Sequence, residues 1–145
     1  MDFQSIGRRF RRFPWIKQRD SMQCGVACLT MACRHYGWAC TLSQIEELCH
    51  ATTEGVSLRG MSQAASELGF ETASVRLSPD ELSQSPLPAI LHWNQNHFVV
   101  LYRIDRRGRY HIADPGKGLL TYSRDEFMRR WASTRSGDED RGIAL

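Results

Sequence analysis

Gln18-Arg-Asp-Ser-Met-Gln-Cys24-Gly-Val-Ala-Cys28-Leu-Thr-Met-Ala-Cys33-Arg-His-Tyr-Gly37 is the stretch whose reading decides the fold. A polar segment runs into Cys24-Gly25, and the chain then becomes small and apolar. Gly37 offers a helix stop, as glycine does just past a C-terminus. Cys24 is thus expected in the first turn of a largely buried helix. Unpaired amide N–H groups and the positive end of the helix dipole gather there, and both favour a thiolate over a thiol. Gly25 leaves room beside the sulfur for a substrate backbone. Gln18, upstream, carries a side-chain amide able to donate to a developing oxyanion. The plain alternative is that Cys24 is one more small core residue of an apolar helix.

Several further blocks carry a family resemblance. Residues 18–29 place Gln18, Asp20 and Cys24-Gly25-Val26-Ala27-Cys28-Leu29 in order. Glu54-Gly55-Val56-Ser57-Leu58-Arg59-Gly60-Met61, Ala64-Ala65 with Leu68-Gly69-Phe70, His97-Phe98-Val99-Val100-Leu101 and Asp114-Pro115 follow. Over about residues 15–132 this resembles the double-glycine leader peptidase domain found at the N-terminus of bacteriocin-exporting ABC transporters. That domain is a papain-like cysteine peptidase. One departure is Gln23, where the family often has an acid before the cysteine.

The resemblance implies an α+β, papain-like fold, with N-terminal helices packed on a C-terminal antiparallel sheet. It implies Cys24 as nucleophile, His97 as base, Asp114 as the carboxylate that orients the imidazole, and Gln18 in the oxyanion hole. It also implies the substrate, a precursor peptide whose leader ends in a double glycine. The partners would be the transmembrane and ATP-binding domains of an ABC exporter, at the cytoplasmic side of the bacterial inner membrane. Two rivals stand beside it: a docking domain that binds a leader without cutting it, and another papain-like thiol acyltransferase.

The rest of the chain is compatible. Its 145 residues hold one domain with a real core, and 41% hydrophobic with 24% charged residues is ordinary for a globular protein. A net charge of +3 gives no case for nucleic acid as a partner. The five cysteines are an odd number with no secretory signal beside them, and they read as reduced thiols. Cys24 and Cys28, with His35 and His50 nearby, have a spacing conceivable for zinc, but core packing explains Cys28 and Cys33 and no metal or other cofactor is expected. No apolar run approaches the roughly 20 residues that span a bilayer.

Residues 1–17 form a basic, aromatic arm, expected to be solvated while one or two aromatics pack on the domain; the alternative is contact with anionic lipid or a partner. Residues 18–132 form the peptidase domain. Residues 133–145 read as a polar linker toward an absent, transmembrane region.

Within the domain, Thr41 with Gln44, or Ser43 with Glu46, makes a capping box for a second helix. A third helix runs over 58–68 and is closed by Gly69. Residues 71–77 alternate as a strand, Ser78-Pro79-Asp80-Glu81 starts a short helix, and 89–93, 97–104 and 109–113 read as antiparallel strands. Their turns are at 94–96 and 106–108. A strand at 119–122 and a helix from the Ser123–Glu126 box to Trp131 complete the pattern.

His97 starts a strand, and Asp114 ends the next. They share a face if the hairpin between them has an even loop, two or four residues long, since side chains alternate. Taken singly, His97 also suits a turn, and Asp114 before Pro115 also suits an Asx-turn. His92 competes as base but lies mid-strand, and His35, His50 and His111 lack an acid placed like Asp114.

Overall fold

The computed structural model describes residues 13–19, 23–49, 58–93, 97–131 and 140–144. Asp20, His50, residues 54–57, the turn at 94–96, the arm before Phe13 and residues 132–139 lie outside the described residues.

Three helices come first: α1 (Cys24–His35), α2 (Leu42–Cys49) and α3 (Leu58–Glu67). Then follow β1 (Ala73–Leu77), α4 (Pro79–Ser83), β2 (Ala89–Trp93), β3 (His97–Ile104), β4 (Tyr110–Asp114), β5 (Gly118–Tyr122), α5 (Arg124–Trp131) and β6 (Asp140–Ala144). The strands make one six-stranded sheet in the order β1-β6-β2-β3-β4-β5, and every pairing is antiparallel.

Local chemistry sets the helix starts. Thr41 and Gln44 exchange reciprocal side-chain bonds with each other's backbone N–H at 3.2 and 3.0 Å, so this box, not Ser43–Glu46, opens α2. Ser78 with Glu81 and Ser123 with Glu126 do the same for α4 and α5.

Strands β2, β3 and β4 are buried on both faces over most of their length, which is why β2 and β3 read as unbroken apolar runs. On one face Ile90, Phe98, Val100 and Ala113 meet α1 through Val26, Leu29 and Met31, with Ile45 and Met61 behind. On the other, Leu91, Trp93, Val99, Leu101 and Ile112 meet Phe127 and Trp131 of α5 and Leu82 of α4. Tyr110 stacks on Phe127 with ring centroids 4.0 Å apart.

Three expectations need correction. The linker expected over residues 133–145 gives way to a strand at its end, because β6 pairs with β1 on one side and β2 on the other. Ladder bonds join backbone to backbone, so a polar sequence does not prevent them when two antiparallel neighbours are in place. The boundary at residue 18 also falls too late. Phe13 is buried and stacks on Tyr102 at 4.6 Å, and the chain from there to Gln18 lies against the sheet.

The third correction concerns the β3–β4 connection. It comprises residues 105–109, five residues between Ile104 and Tyr110, an odd number. Asp105 organises it, accepting from the N–H groups of Arg107 and Arg109 at 2.9 and 3.0 Å, and Gly108 supplies the left-handed turn at φ 74°. The odd loop alone would put His97 and Asp114 on opposite faces. A β-bulge undoes this: Leu101 pairs with Ile112 but Arg103 with His111, leaving Tyr102 as the extra residue. Continued past Val100↔Ala113, the register sets Asp114 opposite Val99, on the same face as His97. The shared face is present, and it is reached by loop and bulge together.

Candidate active site

Cys24 is the first residue of α1 and is buried to 6% exposure. The residue before it, Gln23, makes no side-chain cap bond, so the N–H groups of the first turn stay available at the sulfur. One turn on, Cys28 has no exposure, and burial first, then the nearby Cys24 and Asp114 charges, push its pKa well up. Cys28 is therefore a protonated core residue, and only Cys24 of the two is placed for chemistry.

The Cys24 sulfur lies beside the ring of His97, near enough to help raise its pKa. His97 Nε2 lies 2.7 Å from Asp114 Oδ1, which leaves Nδ1 as the ring nitrogen facing the sulfur. Burial pulls the imidazole pKa down, but the bonds to Asp114 and Cys24 and their charges outweigh it and push the pKa up to about 9. Burial works the other way on Asp114, favouring its neutral form. The bond from His97 and the Gly116 N–H reverse this and hold its pKa below the usual carboxylate value. Both directions describe one ion pair, with a carboxylate holding a charged imidazolium against a sulfur.

Asp114 also accepts from the Gly116 N–H at 2.9 Å through the same Oδ1. The Asx-turn and the orienting carboxylate are thus one arrangement: the turn fixes the oxygen that His97 uses.

Gln18 reaches the site from the N-terminal segment. Its backbone N–H donates to the Pro115 carbonyl at 3.0 Å, and Trp15 Nε1 donates to the Asp114 carbonyl at 2.7 Å. A Cβ built on Gly116 would lie 3.5 Å from Asp114 Oδ1 and 3.6 Å from Gln18 Oε1, so the amide stands beside the carboxylate turn. Trp15 is a site residue that sequence reasoning did not single out. Its signal was faint, one aromatic among the charges of the arm.

The described competing histidines are elsewhere. His92 packs near Phe98, with ring centroids 5.1 Å apart. His111 has an acid after all, Asp105 at 2.9 Å, but as part of the hairpin loop. His35 lies at the far end of α1 from Cys24.

Such an arrangement can ionise a thiol, attack a carbonyl and return a proton to the leaving group. Comparison with known proteins agrees. The chain is 39% identical over 119 residues to the Colicin V secretion/processing ATP-binding protein CvaB of Escherichia coli, covering 82% of this chain and 17% of that protein. It is 32% identical over 122 residues to the Lactococcin-G-processing and transport ATP-binding protein LagD of Lactococcus lactis subsp. lactis, covering 80% of this chain and again 17% of the relative. The chain thus spans about a sixth of the length of these curated relatives.

Among solved structures it is similar to a double glycine motif protease from an AMS/PCAT transporter, crystallised in complex with the leader peptide. The TM-score is 0.82 at 29% identity, over 92% of this chain and 90% of that one. The fold is accordingly that of the papain-like cysteine peptidases. The model of the Peptidase C39 family matches residues 12–135, a span that contains Trp15, Gln18, Cys24, His97 and Asp114 alike, and the chain belongs to that family of cysteine peptidases.

Proposed function

We propose that this domain is the cysteine endopeptidase that removes a double-glycine leader from a precursor peptide, in a larger protein that exports the product. The His97–Asp114 pair, hydrogen-bonded at 2.7 Å and set beside the Cys24 sulfur at the start of α1, carries the reading. Its relatives' names join processing to transport, and a structural neighbour is described with a leader peptide bound.

His97 keeps the Cys24 sulfur ionised, and the thiolate attacks the carbonyl of the second glycine. Gln18 and the Cys24 backbone N–H donate to the oxyanion. His97 then protonates the leaving amine, and water releases the leader from the sulfur. Asp114 holds the ring in one orientation throughout. The transmembrane and ATP-binding domains of an ABC exporter are the partners. The domain works at the cytoplasmic side of the inner membrane, and no helix among its described residues is long and apolar enough to cross a bilayer.

The test is a precursor with a Gly-Gly leader, incubated with the reduced domain and followed by mass spectrometry. Cleavage after the second glycine, lost in a folded Cys24→Ala variant, is expected. Intact precursor that nevertheless binds would identify a docking domain instead.

A further inference from the structure

The geometry points to Cys33 and Cys40 as a reversible disulfide site, closed by oxidation with a hydroperoxide and separate from the peptidase centre. Cys33 lies in the last turn of α1, nine residues from Cys24, roughly 13 Å away at 1.5 Å per residue. The chain folds straight back after it. Trp38 N–H donates to the Cys33 carbonyl at 3.0 Å, and Cys40 N–H donates to the Trp38 carbonyl at 3.1 Å. Arg34 Nε then clamps the Cys40 carbonyl at 2.9 Å. These bonds fold the chain so that Cys40 lies beside Cys33, near enough to act on its thiol. Both are free thiols here.

Their environments divide the work. Cys33 has no exposure, whereas Cys40 is only partly buried and is the sulfur an oxidant in solution reaches first. Burial, with Cys40 beside it, pushes the Cys33 pKa up to about 12, so Cys33 stays a thiol while the peroxide reacts with Cys40, and enters only in the second step. Cys49 is the third sulfur nearby. Burial pushes its pKa up to about 11, and its influence on Cys33 is smaller than that of Cys40.

The chemistry balances in two steps. The Cys40 sulfur attacks the peroxide, the O–O bond breaks, the sulfur is oxidised to a sulfenic acid and the peroxide is reduced to an alcohol or water. Cys33 then attacks that sulfur; the S–O bond breaks, the S–S bond forms, and the Cys33 proton leaves with the hydroxyl as water. The product ties the end of α1 to the entry of α2 and spares Cys40 from further oxidation.

The experiment uses Cys24→Ala, which removes the nucleophilic thiol from the count and leaves four of the five cysteines. The folded variant is treated with equimolar hydrogen peroxide, denatured and titrated for thiols. The expected result is a loss of two of the four thiols, restored by dithiothreitol, with chymotryptic peptides linked through Cys33 and Cys40. Four surviving thiols, or a bond joining Cys40 to Cys49, would overturn the proposal. A second variant adds Cys33→Ala; Cys40 should then accumulate as sulfinic acid at the same peroxide dose. No increase in that product would equally count against Cys33 as the resolving partner.

Discussion

Trp15 donates its indole N–H to the backbone carbonyl of Asp114 at 2.7 Å, across almost the whole length of the domain. The bond is made by the backbone of the residue whose side chain holds His97. It therefore ties the segment carrying Gln18 to the part of the sheet where the imidazole is oriented. Trp15→Phe keeps the ring and deletes the donor. The expected loss of stability is about 0.5–1.5 kcal/mol, as for one ordinary hydrogen bond. The expected loss in kcat is larger in effect, about tenfold, because a small displacement of a positioned group is costly to catalysis. Denaturant titration and steady-state kinetics on one sample separate the two.

Gln18→Ala should lower kcat by about 10²–10³ while leaving KM within a few-fold, as removal of a single oxyanion donor does. The backbone bond from Gln18 N–H to Pro115 survives the change, so thermal denaturation should move little. An equal rise in KM with unchanged kcat would remove Gln18 from the oxyanion role.

The ion pair predicts a pH profile. His97 keeps its proton until about pH 9, so the activity should have its alkaline limb near that value. In Asp114→Asn the carboxylate that raises the pKa is gone while burial of the ring remains. The limb should then move to lower pH, and kcat should fall. Stability follows the same protons. The folded pKa of His97 lies above its ordinary 6.5, so its contribution is complete below 6.5 and is lost as pH rises through about 9. Asp114 is shifted downward from 3.8, so its contribution is present above that value and is lost as pH falls through its lowered pKa. Chemical denaturation across pH 3 to 10 reads both limbs.

Gln23 is buried to 7% exposure, and its Oε1 has no hydrogen-bond partner among the described residues. A buried acceptor left unmade costs about 1–3 kcal/mol. Gln23→Leu, similar in volume, should raise stability by up to that amount, measured by urea titration. This side chain makes no bond to Cys24, His97 or Asp114, so cleavage should persist.

Much of this was legible in the residues themselves. Capping boxes marked the starts of α4 and α5, and narrowed α2 to two alternatives, because a Ser or Thr three residues before Glu or Gln is a local device that needs no tertiary context. The polar-to-apolar break at Cys24 and the strand ends at His97 and Asp114 allowed these residues a chemical role without deciding it, and the family resemblance singled them out. What was not legible depends on distant partners. β6 has no period of its own and is defined by the neighbours on either side of it. Trp15 has a role only once the Asp114 carbonyl is beside it. The choice between an Asx-turn and an orienting carboxylate at Asp114 was no choice, since one oxygen makes both bonds.

The bulge at Tyr102 has a consequence for how such a domain changes over generations. A hairpin tip is ordinarily where chains gain or lose residues freely. Here the tip and the bulge jointly keep the phase of His97 against Asp114. A codon deleted at residues 105–109 would swing the carboxylate to the opposite side of the sheet unless the strand also lost its extra residue. Length variation in this hairpin among active descendants should therefore occur in even steps, or as paired events at loop and strand.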